Sequence, residues 1–131
     1  MWRDEWRHHA NGAIGIVRAV IASSEPAILG ALFARMFGDT AVRPIEGGVR
    51  LAVGAGAIEI LGPATVARQL GDAAAPADGR DHHMAALTLR TRGLDLVRGA
   101  LEQGGVHAVV APGRVLVPAA HAMGCPLEFV P

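Results

Sequence analysis

The chain has no lysine, no tyrosine and a single cysteine, and its aromatic residues amount to 4% of 131. Each scarcity excludes something. With two Trp and three Phe there is no series of rings on which nucleic-acid bases could stack, and no basic stripe accompanies them. Lys+Arg and Asp+Glu both number 12, so no net charge draws the chain toward a polyanion or an acidic membrane surface. Cys125 has no second cysteine to pair with, which excludes an internal disulfide and fits a reducing compartment. The segment MWRDEWRHHANG carries charge where a secretion signal needs an apolar run, and the apolar stretch from Ile14 to Phe37 is broken by Arg18 and by Ser23, Ser24, Glu25 and Pro26. A cytoplasmic protein without a membrane span is the expectation.

What is present is aliphatic. Hydrophobic residues make up 51% of the chain, so one close-packed core of Ala, Val, Leu and Ile is expected for a single domain of this size. Every cation is arginine, which keeps its charge when partly buried and binds carboxylates through a planar fork. An arginine inside an apolar strand therefore stands out, and Arg18 in IVRAVIA is one.

The order of elements repeats. Gly15 to Ser23 reads as a buried strand, and Ser24-Glu25-Pro26 opens a helix with Ile28, Leu29, Leu32, Phe33 and Met36 on one apolar face. Thr40 to Ile45, Val49 to Val53 and Ala57 to Leu61 read as three strands punctuated by glycines. This first module covers about 13–63, after an N-terminal extension of 1–12. Residues 64–82 then hold one helical hint, TVARQL, and the Ala, Pro, Gly and Asp run of a flexible linker. From about 83 to 131 the pattern returns: a strand from Met84 to Arg90, a helix from Leu94 to Gln103 and three strand-like segments. GGVRLAVGAGAIEILGP (47–63) parallels PGRVLVPAAHAMGCPLEFVP (112–131), each ending in a glutamate among apolar residues and then a proline. Two such modules share one sheet, because neither can bury a sheet face alone. Without the repeat, the same elements read as an ordinary α+β sandwich.

The paired βαβββ modules, with Glu59 in AIEIL and Glu128 in PLEFV, resemble the glyoxalase-like domains of the vicinal oxygen chelate superfamily, which includes glyoxalase I, extradiol dioxygenases and bleomycin-resistance proteins. WRHHANG, GIVRAVIASSEP and the C-terminal run further resemble the second half of larger glyoxalase-like proteins, which makes a shortened form of such a protein one expectation. The resemblance implies an α+β fold with a curved mixed sheet around a cleft, helices outside, and pairing into homodimers. It also implies a divalent metal held by the first and last strand of each module. Glu59 and Glu128 match the last-strand positions, whereas the first-strand positions fall on Arg18 and Ala86, neither of which can ligate a metal.

Three arrangements follow. Arg18 can sit between Glu59 and Glu128 in a metal-free cleft that binds a small molecule, with His83 at its edge. Alternatively, His83 can join the two glutamates as a third ligand, giving a metal-dependent lyase, isomerase or dioxygenase. Lastly, the glutamates can be the solvent side of edge strands, alternating with Ile58, Ile60, Leu127 and Phe129, in a non-catalytic dimerising or regulatory module. Ser23 and Ser24 read as helix caps, Cys125 as a small core residue, His107 and His121 as solvated, and His82 as a neighbour of His83 that could take its place.

Overall fold

The computed structural model describes residue 3 and residues 8–131; the rest of the N-terminal extension lies outside the described residues. The first module runs β1 (Ala13–Ser23), α1 (Pro26–Phe37), β2 (Val42–Ile45), β3 (Gly48–Val53) and β4 (Gly56–Leu61). The second runs β5 (His82–Thr91), α3 (Leu94–Gln103), β6 (Val109–Ala111), β7 (Arg114–Val117) and β8 (Leu127–Val130), and α2 (Pro63–Leu70) lies between them. All eight strands form one sheet in the order β2-β3-β4-β1-β5-β8-β7-β6. The fold is α+β and the two βαβββ modules are as the repeat predicts.

The modules meet where their first strands pair. β1 runs antiparallel to β5, while each first strand runs parallel to its own last strand, β1 to β4 and β5 to β8. Two rungs apart on the central pair, Arg18 faces Thr88 and Val20 faces Ala86. A bulge sets two residues of β1, Ile16 to Arg18, against one step of β5, Leu89 to Thr88. Such an insertion changes the side of the sheet to which alternation sends the following residues. The register that puts Arg18 beside Thr88 begins there.

Helix α1 packs on the face of Val49 and its cross-strand partner Ile60. Gly30 is its one buried residue, and a Cβ there would lie 2.8 Å from Val49 Cγ2, so the absence of a side chain permits the close approach. The apolar face expected of this helix is only partly used: Ile28, Leu32, Met36 and Phe37 are exposed. Periodicity located the helix, but Gly30 rather than the largest side chains sets the contact. Helix α3 packs as expected, with Val97 buried against Val115, Val117 and Phe129.

The connection between modules is more ordered than its composition suggests. Val66 and Leu70, one helical turn apart on α2, and Ala73 in the turn that follows pack against Val20, Leu61, Ala86 and Leu116. The helical hint in TVARQL is thus realised as α2, and the flexible run read after it is corrected at Ala73, which is buried in a helical turn. Burying these side chains stabilises the segment by more than its Ala and Gly content costs in chain entropy.

Candidate functional site

Glu59 and Glu128 lie on interior strands, not edges, and are 7% and 8% exposed. The reading of both as solvent-facing edge residues is corrected. Alternation directs them away from the α1 and α3 side of the sheet: Glu59 faces Arg50 across β3–β4, while its neighbour Ile60 faces Val49.

Arg18 lies between them. Its Nε donates to Glu59 Oε2 at 2.8 Å, and its Nη2 is 2.7 Å from the same oxygen. Its Nη1 is 3.6 Å from Glu128 Oε2. Nη2 also donates to Gln69 Oε1 at 2.6 Å, so α2 fixes the far side of the guanidinium. Two arginines from hairpin strands complete the cluster. Arg50 Nη1 donates to Glu59 Oε1 at 3.2 Å, and Arg114 Nη1 donates to Glu128 Oε1 at 2.9 Å. The Thr88 hydroxyl donates to Glu128 Oε2 at 2.8 Å.

Every oxygen of the two buried carboxylates therefore has at least one donor, the condition under which buried charge is tolerated. Three guanidiniums against two carboxylates leave one positive charge in the cluster. Arg50 and Arg114 keep 53% and 40% of their side-chain surface in solvent, and each commits one nitrogen to a glutamate. Their other N–H groups are placed to receive an anionic or strongly polarised oxygen. Arg18 also borders a shallow pocket of about 150 Å³ with Ile16, Val53 and Ala57, which gives the charged cluster an apolar margin.

Sequence matching set Ala86 opposite Arg18 in the module repeat, and it occupies the corresponding rung. Buried against α2, it offers no polar atom. The polar residue of β5 beside Glu128 is Thr88, two positions along. Thr88, Arg50, Arg114 and Gln69 are the members that sequence reasoning missed. The signal for Arg50 was available, since the Gly54-Ala55 turn of the β3–β4 hairpin sets it directly opposite Glu59. Arg114 gave no comparable signal, because Leu116 is the residue opposite Glu128 and Arg114 reaches across diagonally.

The structure does not bring His83 to the glutamates. It pairs with Ala22 near the start of β5 and lines a separate pocket of about 180 Å³ with Ser23, Val66, Ala67 and Arg80. Its Nδ1 is buried without a hydrogen-bond partner, and burial, aided by the Arg80 charge, pushes the imidazole pKa down. Cys125 is half-buried, and burial raises its thiol pKa, which opposes a nucleophilic role.

The donor set does not fit the divalent metal implied by the family resemblance. A hard or borderline ion needs several free lone pairs, and here the carboxylates are turned toward guanidiniums that repel a cation. Among the described residues no group of three or more His, Cys, Asp or Glu side chains is arranged to hold one.

No protein-family model matches the chain, and no curated protein sequence does. Solved structures do. Methylmalonyl-CoA epimerase from Mycobacterium tuberculosis is similar with a TM-score of 0.62 and 19% identity, covering 93% of this chain and 94% of its own. A variant of methylmalonyl-CoA epimerase from Streptomyces coelicolor, in complex with 2-nitronate-propionyl-CoA, is similar at 0.61 and 13% identity, with 90% and 94% covered. A hypothetical protein from Bacillus halodurans is similar at 0.55 and 15% identity, with 88% and 92% covered. The chain shares the glyoxalase-type fold of these structures. At these identities the likeness establishes the fold alone.

Proposed function

We propose that the chain is a glyoxalase-fold module that binds a small organic molecule bearing a carboxylate or polarised carbonyl, in a cleft that works without a resident divalent metal. The observation that carries this reading is the Arg18 guanidinium between Glu59 and Glu128. In this reading Arg18 supplies the positive charge that a metal would bring, and it orients the glutamates instead of being displaced. The ligand oxygen is taken by the uncommitted N–H groups of Arg50 or Arg114, and the excess positive charge of the cluster favours an anion. Coenzyme A esters, one of which is bound by the Streptomyces coelicolor neighbour, are the first compounds to screen.

The test is calorimetric titration of the purified chain with short acyl-CoA esters and with the corresponding free carboxylates. Saturable binding weakened about tenfold or more by Arg114→Ala supports the reading, since a charge-assisted hydrogen bond is worth about 1.5–3 kcal/mol. Binding that requires added divalent metal contradicts it.

Two coarser expectations accompany the proposal. The module is taken as a homodimer, supported by the exposed stripe of Ile28, Leu32 and Met36 along α1, and sedimentation equilibrium tests this by mass. It is taken as cytoplasmic, supported by a lone cysteine. Among the described residues no helix is long and apolar enough to cross a membrane.

A further inference from the structure

Beside the central cluster, at the β2 edge of the sheet, two arginines stand directly opposite each other. Arg43 on β2 and Arg50 on β3 are cross-strand partners, which places both side chains on one face. Like charges in such a pair repel, and among the described residues the only carboxylate in ion-pair reach of either is Glu59, which Arg50 shares with Arg18. Arg43 has no ion-pair partner among the described residues. One shared carboxylate thus faces two cations of the pair and a third in Arg18.

The two arginines line a pocket of about 350 Å³ together with Thr40, Ala41, Ile45 and Ala52. Its other lining residues are small or aliphatic apart from Thr40, and its two cations are cross-strand neighbours. A paired guanidinium wall suits the oxygens of a carboxylate or phosphate, and the aliphatic remainder suits a compact apolar body. Pro44 lies at the same margin and has no N–H to offer a further strand, so the edge is blunted against strand addition.

We infer that the Arg43–Arg50 pocket is an oxyanion-binding site for a compact organic acid or phosphate ester, distinct from the Arg18 cluster. The two sites share Arg50, which in this arrangement donates to Glu59 through Nη1 and to the bound anion through its remaining N–H groups. Arg43 belongs to this site alone.

The experiment titrates the full chain with benzoate and with phenyl phosphate at constant ionic strength, followed by calorimetry, for the parent protein and for Arg43→Ala and Arg114→Ala. Expected is saturable binding of at least one anion that persists in Arg114→Ala, which removes only the central cleft's share, and that is weakened about tenfold or more in Arg43→Ala; the preferred probe tells carboxylate from phosphate. Arg43 is exposed on an edge strand, so its replacement should leave the fold intact, and an unchanged melting temperature would confirm this. Absence of binding by both anions to the parent protein overturns the inference. So does binding that survives Arg43→Ala but is lost in Arg114→Ala, a result that leaves the proposed central cleft standing.

Discussion

Two nitrogens of Arg18 converge on one oxygen of Glu59, at 2.8 and 2.7 Å, where the glutamate is almost wholly removed from water. A carboxylate so placed depends on its cation. The second glutamate of the repeat has the same guanidinium nearby, so one residue of β1 ties together the last strands of both modules. Several outcomes follow from that connection.

Replacing Arg18 by methionine keeps the aliphatic stem and removes the charge. Glu59 and Glu128 then retain only Arg50, Arg114 and Thr88 as donors. Breaking a fully buried pair costs about 3–5 kcal/mol, and with the second arginines remaining the expected loss is about 2–3 kcal/mol. Urea unfolding measures it. The double variant Arg18→Met, Glu59→Gln should recover part of the loss, because the uncompensated charge is gone.

Arg18→His should create what the native cluster lacks. An imidazole on this rung would join two carboxylates and remove the repelling guanidinium, a donor set suited to Zn²⁺ or Mn²⁺. Affinity for one of these ions, read by competition with a chelating dye, should rise at least about tenfold over the parent chain. No gain would mean that the glutamates are not positioned to act together.

His83 should make stability depend on pH. Its folded pKa lies below the usual value, mainly because burial disfavours the charged ring, so the unfolded chain takes up its proton more readily. The contribution is fully present above the unfolded pKa, near 6.5, and is lost as pH falls through and below it. Melting temperatures between pH 5 and pH 7.5 should show this acid-side slope, and His83→Asn should reduce it.

Gly30→Ala separates helix propensity from packing. Alanine favours a helix interior by about 1 kcal/mol over glycine, but here its Cβ would meet Val49 Cγ2 at 2.8 Å. The stiff valine cannot yield cheaply, and overpacking costs of about 1–3 kcal/mol make the variant less stable. In a Val49→Ala background the sign should reverse.

How much of this was legible in the sequence differs between the fold and the site. The module repeat carried the sequence of elements and the shared sheet, and the placing of Glu59 and Glu128 at matching points of AIEIL and PLEFV identified both carboxylates. Arg18 stood out as a charge in an apolar strand. Thr88 did not, because its proximity to Glu128 depends on the β5–β8 register, and its place opposite Arg18 depends on a bulge that composition does not reveal. Arg114 was hidden by its diagonal reach, and Gln69 because a helical hint in TVARQL does not say against which strand the helix packs. His83 was misjudged by distance along β5: it lies five positions from Thr88, enough to carry it to another pocket. Local pattern reports elements well, whereas a polar cluster assembled from seven elements depends on registers fixed only by the folded sheet.

The central claim is that Arg18 occupies the role of a metal between the two glutamates. Elemental analysis of the chain, purified without chelators and then equilibrated with Mg²⁺, Mn²⁺ and Zn²⁺ before desalting, tests it most directly. The expected result is far less than one equivalent of any divalent ion per chain, unchanged by Glu59→Gln. One equivalent retained by the parent chain and lost in Glu59→Gln or Glu128→Gln would contradict it.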